Sequence, residues 1–245
     1  MKKIFALMAF AALLLVSCTD KDNPKNHDKN KNGDDEEYVA PIKIDGDFAD
    51  WAKLDASKVA TATCSADASH PALKIVKVYA DEYFVYVYFE WDKDMIEHEP
   101  DVEHVPFHVY INSDGDAATG GFADQFTDAC MDGMFEGFIY PDGASVGSYA
   151  PGVYKWVGEP NGSGWDDCWE DLGEIADLTA GAGIDGKYEM SISRDLYPVG
   201  PWADKFSIGF DIQQSWDSVG ILPNATPTED NPSDHAASLQ VTTVK

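Results

Sequence analysis

The residues best equipped for chemistry lie between Val109 and Gly121, which reads Val-Tyr-Ile-Asn-Ser-Asp-Gly-Asp-Ala-Ala-Thr-Gly-Gly. Asn112, Asp114 and Asp116 alternate with small residues, so an extended segment runs into a loop that carries three oxygen-bearing side chains. Hard cations such as calcium take about six to eight oxygens, many from carboxylates and backbone carbonyls in such loops. Gly115, Gly120 and Gly121 allow the backbone conformations a tight loop needs. The loop is not an EF-hand, because Ala117 stands where the sixth-position glycine belongs and Ala123 where the bidentate glutamate belongs. The same residue types also make an ordinary polar turn, since Asp, Asn and Gly dominate turns for local reasons. One strand downstream, Asp132 and Glu136 could return in a hairpin to face Asp114 and Asp116. The metal set expected from sequence is therefore Asn112, Asp114, Asp116, Asp132 and Glu136, with a solvated strand edge as the other reading of Glu136.

A sugar site needs flat apolar rings for C–H faces and polar side chains for hydroxyls. Seven Trp and eleven Tyr supply enough rings for a core and a site. Trp156, Trp165, Trp169 and Trp216 sit in or beside polar, Gly-rich segments, where exposure is expected. Trp165 and Trp169 are four apart and flanked by acids, while Gln213, Gln214 and Asp217 could offer hydrogen bonds around Trp216. Core packing competes with ligand stacking for each of these indoles.

Other catalytic patterns fail on inspection. Gly143-Ala144-Ser145-Val146-Gly147 matches a nucleophile elbow in letters, but Pro151 and Gly152 follow where a helix is required. His98, His104 and His108 cluster with Glu97, Glu99 and Glu103. On one strand, His104 and His108 would stand roughly 13 Å apart, too far for a single ion. Glycoside hydrolysis needs two carboxylates at a set separation, and a chain this acidic offers chance pairs everywhere.

The net charge is −27, from 44 Asp and Glu against 17 Lys and Arg. Such a surface repels phosphate backbones and anionic headgroups, which argues against nucleic acid as a partner. Of the four cysteines, Cys64, Cys130 and Cys168 remain once Cys18 is set aside. They allow one bridge and a free thiol, or three buried thiols, and no Cys-x-x-Cys pair supports a zinc site.

The positioning elements follow in chain order. Met1-Lys2-Lys3, an apolar run from Ile4 to Val16 and Ser17-Cys18 have the form of a secretory signal of residues 1–17. Leu14-Leu15-Val16-Ser17-Cys18 resembles a bacterial lipobox, which implies cleavage before Cys18 and lipidation of its sulfur. The expectation is a protein anchored to the membrane by lipid alone. Residues 18–37 form a polar linker without a large apolar residue, which cannot offset its ordering entropy. A flexible coil of that length spans roughly 25 Å. Its acidic start resembles the surface-export signals of Bacteroidetes lipoproteins, which implies an outer-membrane lipoprotein.

Residues 38–245 are long enough for one large sandwich or barrel. Strands are expected at Lys74–Tyr79, Tyr83–Glu90, Val105–Ile111, Met134–Tyr140, Val153–Val157, Lys187–Ser193, Lys205–Gln213 and Ser238–Val244. In Lys205–Gln213, Phe206, Ile208, Phe210 and Ile212 share one face, and Ser207, Gly209, Asp211 and Gln213 share the other. One face should meet a core and one water. With no sustained helical period, the expected fold is all-β: a single antiparallel β-sandwich.

Ile44-Asp45-Gly46-Asp47-Phe48-Ala49-Asp50-Trp51 resembles the opening of family 9 carbohydrate-binding modules and their DOMON-like relatives. Tyr83–Phe89 with Asp92, the loop at Phe107–Gly121, Glu189–Arg194, Ile208–Asp211, Trp216 and Gly220–Pro223 resemble later motifs of that family in the same order. The resemblance spans residues 42–244. It implies a jelly-roll or DOMON-like sandwich with structural calcium that binds oligo- or polysaccharide without cleaving it. In the related modules two tryptophans clamp a sugar ring; Trp216 is the better match here and Trp169 the next. Trp51 is expected to plug one end of the sandwich. Rival expectations are a structural subunit of an outer-membrane glycan-uptake complex, a glycosidase, and a haem module that would use Met134 or Met190 as an axial ligand.

Overall fold

The computed structural model of the protein describes residues 38–96, 105–121, 123–128, 130–139, 147–148, 152–164, 167–174, 179–194, 202–215 and 217–245. Ala40–Lys245 form one compact unit. The signal peptide, Cys18, the linker, His98, His104, Ser145, Trp165 and Trp216 lie outside the described residues.

The unit is an antiparallel β-sandwich. One sheet contains β1 (Ala60–Thr63), β2 (Leu73–Ala80), β3 (Phe84–Trp91), β6 (Gly147–Ser148), β9 (Thr179–Ile184) and β10 (Lys187–Ser193), in the order β1-β2-β3-β10-β9-β6. The second contains β4 (Val105–Asn112), β5 (Gly133–Ile139), β7 (Gly152–Trp156), β8 (Trp169–Glu174), β11 (Lys205–Gln214) and β12 (Asp217–Leu222), in the order β12-β11-β4-β5-β7-β8. Strand β13 (Leu239–Thr242) pairs with the first half of β11, and β12 pairs with its second half. Between named strands of the described residues every pairing is antiparallel.

The alternation in the sequence places Val85, Val87 and Phe89 of β3, Met190 and Ile192 of β10, Phe107, Val109 and Ile111 of β4, and Phe206, Ile208 and Phe210 of β11 in one core between the sheets. Rings interlock there: Phe89 meets Tyr188 at 5.3 Å and Phe107 at 5.0 Å between centroids. Burial of this apolar area is the main favourable term of folding.

Both sheets also bury part of their outer faces. On the first, Ile42 and Trp51 pack on Tyr86 and Tyr88. Trp51 belongs to a short 3₁₀ turn, Phe48–Lys53, capped by the Asp47 carboxylate. Trp51 is buried as expected, but it covers the outer face of a sheet instead of plugging an end. Its indole N–H finds a partner in Glu189, which points outward from β10. On the second sheet, Ala123, Phe126 and Met131, from the loop between β4 and β5, pack on Tyr110, Met134 and Ile221. This loop corrects the expectation for β11, whose polar face meets protein instead of water. Gly209 is what admits the loop: a Cβ there would stand 2.3 Å from the Phe126 ring.

Candidate functional site

The outer face of the second sheet carries the chemistry. Strand β4 presents His108 and Tyr110, β5 presents Glu136, and β11 presents Asp211 and Gln213. Register fixes the neighbours: His108 lies opposite Glu136 on one side and Asp211 on the other. The loop across this face adds Asp124 and Gln125. Of these, Tyr110, Asp124 and Gln125 line a pocket of about 290 Å³, together with Ala123, Ser163, Gly164 and Trp169.

Beneath the pocket lies a buried polar layer. Asp211 is 1% exposed. Its Oδ2 accepts from Gln125 Nε2 at 3.0 Å and from Gln213 Nε2 at 2.7 Å, and the Ser218 hydroxyl stands beside the same carboxylate. Burial pushes the Asp211 carboxyl above its ordinary range, opposed mainly by nearby His108. The Tyr110 hydroxyl is also buried, beside the Gln125 amide. Burial, and then the carboxylates of Asp211, Asp124 and Glu136, push its pKa well up. His108 Nε2 lies 2.9 Å from Glu136 Oε2. That bond holds the Glu136 carboxyl below its ordinary range despite partial burial. The Tyr154 hydroxyl donates to Glu136 Oε1 at 3.4 Å, and burial pushes the phenol up to about 12.

The expected ligand-binding residues divide. Trp169, half-buried at the start of β8, lines the pocket. Trp156 does not line it. It is 8% exposed, its ring lies against Gly121 and Gly158, and its indole N–H donates to Glu159 O at 3.2 Å. Glycines without side chains let the loops close over that indole, so the polar, Gly-rich setting that suggested exposure instead buries it. Trp156 meets Trp169 edge-on at 5.1 Å and braces it. Gln213 is buried and serves Asp211; Gln214 is buried at the end of β11, opposite the exposed Asp217.

The expected metal residues divide too. Asp132 follows Ile111 across the β4–β5 pairing, and its N–H donates to Ile111 O, so it does return to the loop. Glu136 does not. It lies four residues further along β5, roughly 13 Å away, committed to His108. The loop closes largely on itself. Asn112 Oδ1 accepts from Gly115 N at 2.8 Å, Asp114 Oδ1 from Asp116 N at 2.8 Å, and Asp116 Oδ1 from Ala118 N at 2.9 Å. Asp132 Oδ2 accepts from Ser113 N at 2.7 Å and from Ser113 Oγ at 3.0 Å. Burial, and then the Asp114 charge, raise the Asp132 pKa. Among the described residues no group of three or more His, Cys, Asp or Glu is arranged to hold a metal ion. Cys64, Cys130 and Cys168 are all free thiols. Cys130 is buried against Ala117 O and Asn161 Oδ1.

Tyr110, Asp124, Gln125 and Asp211 were not expected from sequence. Alternation along β4 and β11 does put Tyr110 and Asp211 on the outer face. Nothing local reveals that the loop after β4 returns to bring Asp124 and Gln125 beside them.

No family model matches the chain, and no curated protein matches it either. Fold and site together define an antiparallel β-sandwich with an aromatic-walled, acid-rimmed pocket on the outer face of one sheet.

Proposed function

We propose that the protein is a lipid-anchored outer-membrane lipoprotein whose sandwich binds an oligo- or polysaccharide at this pocket without cleaving it. The observation that carries the reading is the pairing of Trp169 and Tyr110 with Gln125 and Ser163 around a space of about 290 Å³. Rings suit the C–H faces of a sugar, and amide and hydroxyl groups suit its hydroxyls. The resemblance to family 9 carbohydrate-binding modules agrees with it. The lipobox-like Leu14–Cys18 supports the anchor, with the acidic linker as spacer. A non-catalytic role is favoured over a glycosidase because hydrolysis needs a pair of carboxylates, and of the described acids only Asp124 lines the pocket: Asp211 is buried behind Gln125 and Gln213, and Glu136 is held by His108.

Calcium enters the proposal as a structural ion. Its support is the opposition of Asp114 and Asp132, whose mutual repulsion a cation would relieve, with Asn112 and Asp116 shaping the loop. Asn112, Asp114, Asp116 and Asp132 do not line the pocket, so the ion is proposed as structural and not as a sugar ligand.

The test is a glycan array joined to thermal-shift measurements on residues 40–245, with and without EDTA. A glycan that raises the melting temperature in the parent and not in Trp169→Ala supports the reading. No hit overturns it and leaves a structural subunit of a glycan-uptake complex, to be sought by co-purification. For calcium, EDTA should lower the parent's melting temperature and leave Asp114→Ala/Asp116→Ala unmoved. A site filled to a hundredfold excess over its Kd would contribute about 2.7 kcal/mol. An EDTA effect of equal size in both proteins, or in neither, removes the ion.

A further inference from the structure

We propose that His70 and His235 form a binding site for a divalent transition-metal ion of the zinc type, held ready by the buried carboxylate of Asp234. The site joins the connection between β1 and β2 to the one between β12 and β13, and it shares no residue with the pocket.

Asp234 is wholly buried and takes a left-handed backbone, with φ at 59°. In a residue other than glycine that conformation persists where the surroundings over-determine it. Here Oδ2 accepts from Ser69 N at 2.6 Å and from His70 N at 3.2 Å, while Oδ1 lies 2.9 Å from His70 Nδ1. A carboxylate can only accept, so the neutral His70 ring carries its proton on Nδ1 and turns the Nε2 lone pair away from Asp234. A carboxylate placed behind an imidazole in this way fixes its tautomer and raises its basicity, as metal-binding histidines require. The His70 ring is a quarter exposed, so Nε2 lies within reach of an ion from solvent.

A histidine kept only to satisfy a buried acid needs no second imidazole beside it, and His235 supplies one. The two rings stand 6.5 Å apart between centroids with their planes at 36°. Two imidazoles on one tetrahedral ion, each with a metal–nitrogen bond of about 2 Å, have centroids about 5 Å apart. Rotation of the half-buried His235 side chain closes the difference, because both backbones are already fixed. Ile221 N donates to His70 O at 3.2 Å, Asn231 Nδ2 donates to His235 O at 2.7 Å, and Asn224 pairs with His235 across an antiparallel bridge. Imidazole nitrogen suits zinc, copper and nickel, whereas calcium takes oxygen alone. Asp234 stays behind His70 and does not touch the ion, whose remaining positions go to water.

The experiment is isothermal titration of the reduced, EDTA-stripped full chain with zinc(II), in an excess of calcium that occupies oxygen-only sites. His235→Gln is the decisive variant, because it leaves every bond of the Asp234 carboxylate in place. It should lose the zinc bound by the parent and keep the parent's metal-free melting temperature. His70→Gln should lose the same zinc, and Asp234→Asn should bind it about 10–100-fold more weakly, since His70 loses the group that orients it. His98→Gln/His104→Gln, in the histidine cluster beside Glu97 and Glu103, should keep it. Equal zinc binding by the parent and His235→Gln, loss in the His98/His104 variant alone, or a parent that takes no zinc overturns the inference. Cobalt(II) in place of zinc reads the ligand type: a thiolate-to-metal absorption band would put Cys64, Cys130 or Cys168 on the ion and overturn it as well.

Discussion

Glu189 Oε2 accepts the indole N–H of Trp51 at 3.0 Å, across 138 residues of sequence. Its other oxygen accepts Asp45 N at 3.1 Å and Gly46 N at 2.9 Å. A carboxylate with no exposed surface is thereby satisfied by one short N-terminal segment, which in turn covers Tyr86 and Tyr88. Trp51→Phe keeps most of the ring and removes one donor to a charged acceptor. Such bonds contribute about 1.5–3 kcal/mol, and urea unfolding should show a loss in that range. A loss under about 0.5 kcal/mol would mean that the Asp45–Gly46 turn holds the carboxylate unaided.

Asp211 should leave a signature in the pH dependence of stability. Burial raises its folded pKa above its ordinary 3.8. Between those two values the folded state holds a proton that the unfolded state has lost. Its favourable contribution is therefore complete below the unfolded pKa and disappears as pH rises through the folded one. Asp211→Asn keeps an oxygen for Gln125 and Gln213 and never ionises. Relative to the parent, the variant should become more stable from pH 4 to pH 7, by about 1.4 kcal/mol for each unit of the upward shift. Guanidinium unfolding of both proteins at the two pH values measures it. A parent that gains on the variant over that span would reverse the sign and refute the raised pKa.

The loop over the second sheet depends on Gly209 as much as on Phe126. A Cβ at Gly209 would lie within 2.3–2.4 Å of two carbons of the Phe126 ring. Gly209→Ala should cost about 1–3 kcal/mol through overpacking. In a Phe126→Ala background the same change should cost almost nothing, because the atoms it would strike are gone. The double-mutant cycle isolates that coupling. Equal costs in both backgrounds would place the strain elsewhere.

This loop also marks where sequence stops predicting structure. Strand β10 falls at Lys187–Ser193 as its β-branched and aromatic alternation requires, and β11 agrees within one residue. Strands β1, β6, β8, β9 and β12 were not expected. Ala-Thr-Ala-Thr, an acidic Trp-Glu-Asp-Leu-Gly-Glu, Thr-Ala-Gly-Ala-Gly-Ile and Asp-Ser-Val-Gly-Ile-Leu have weak strand preference and take their conformation from neighbours already paired. The same limit applies to the pocket. Trp169 stands out by its setting, whereas Gln125 reaches Asp211 across 86 residues because the loop folds back, which no local pattern encodes.

Two tryptophans in edge-to-face contact should separate stability from binding. Trp156 fills a space walled by Gly121 and Gly158 and donates to Glu159 O, so its removal opens a cavity that backbone cannot readily close. Trp156→Ala should cost about 3–5 kcal/mol, with sugar binding lost only because Trp169 loses its brace. Trp169 is half-buried and faces the pocket, so Trp169→Ala should cost less and abolish binding in a protein that still unfolds cooperatively. Trp156→Phe supplies the decisive comparison, because it restores much of the volume and still supports Trp169. Paired denaturation and titration of the three variants should give large destabilisation with Trp156→Ala, recovered binding with Trp156→Phe, and a folded non-binder with Trp169→Ala. A folded Trp169→Ala variant that binds sugar as tightly as the parent would remove Trp169 from the site, and the aromatic wall would then rest on Tyr110.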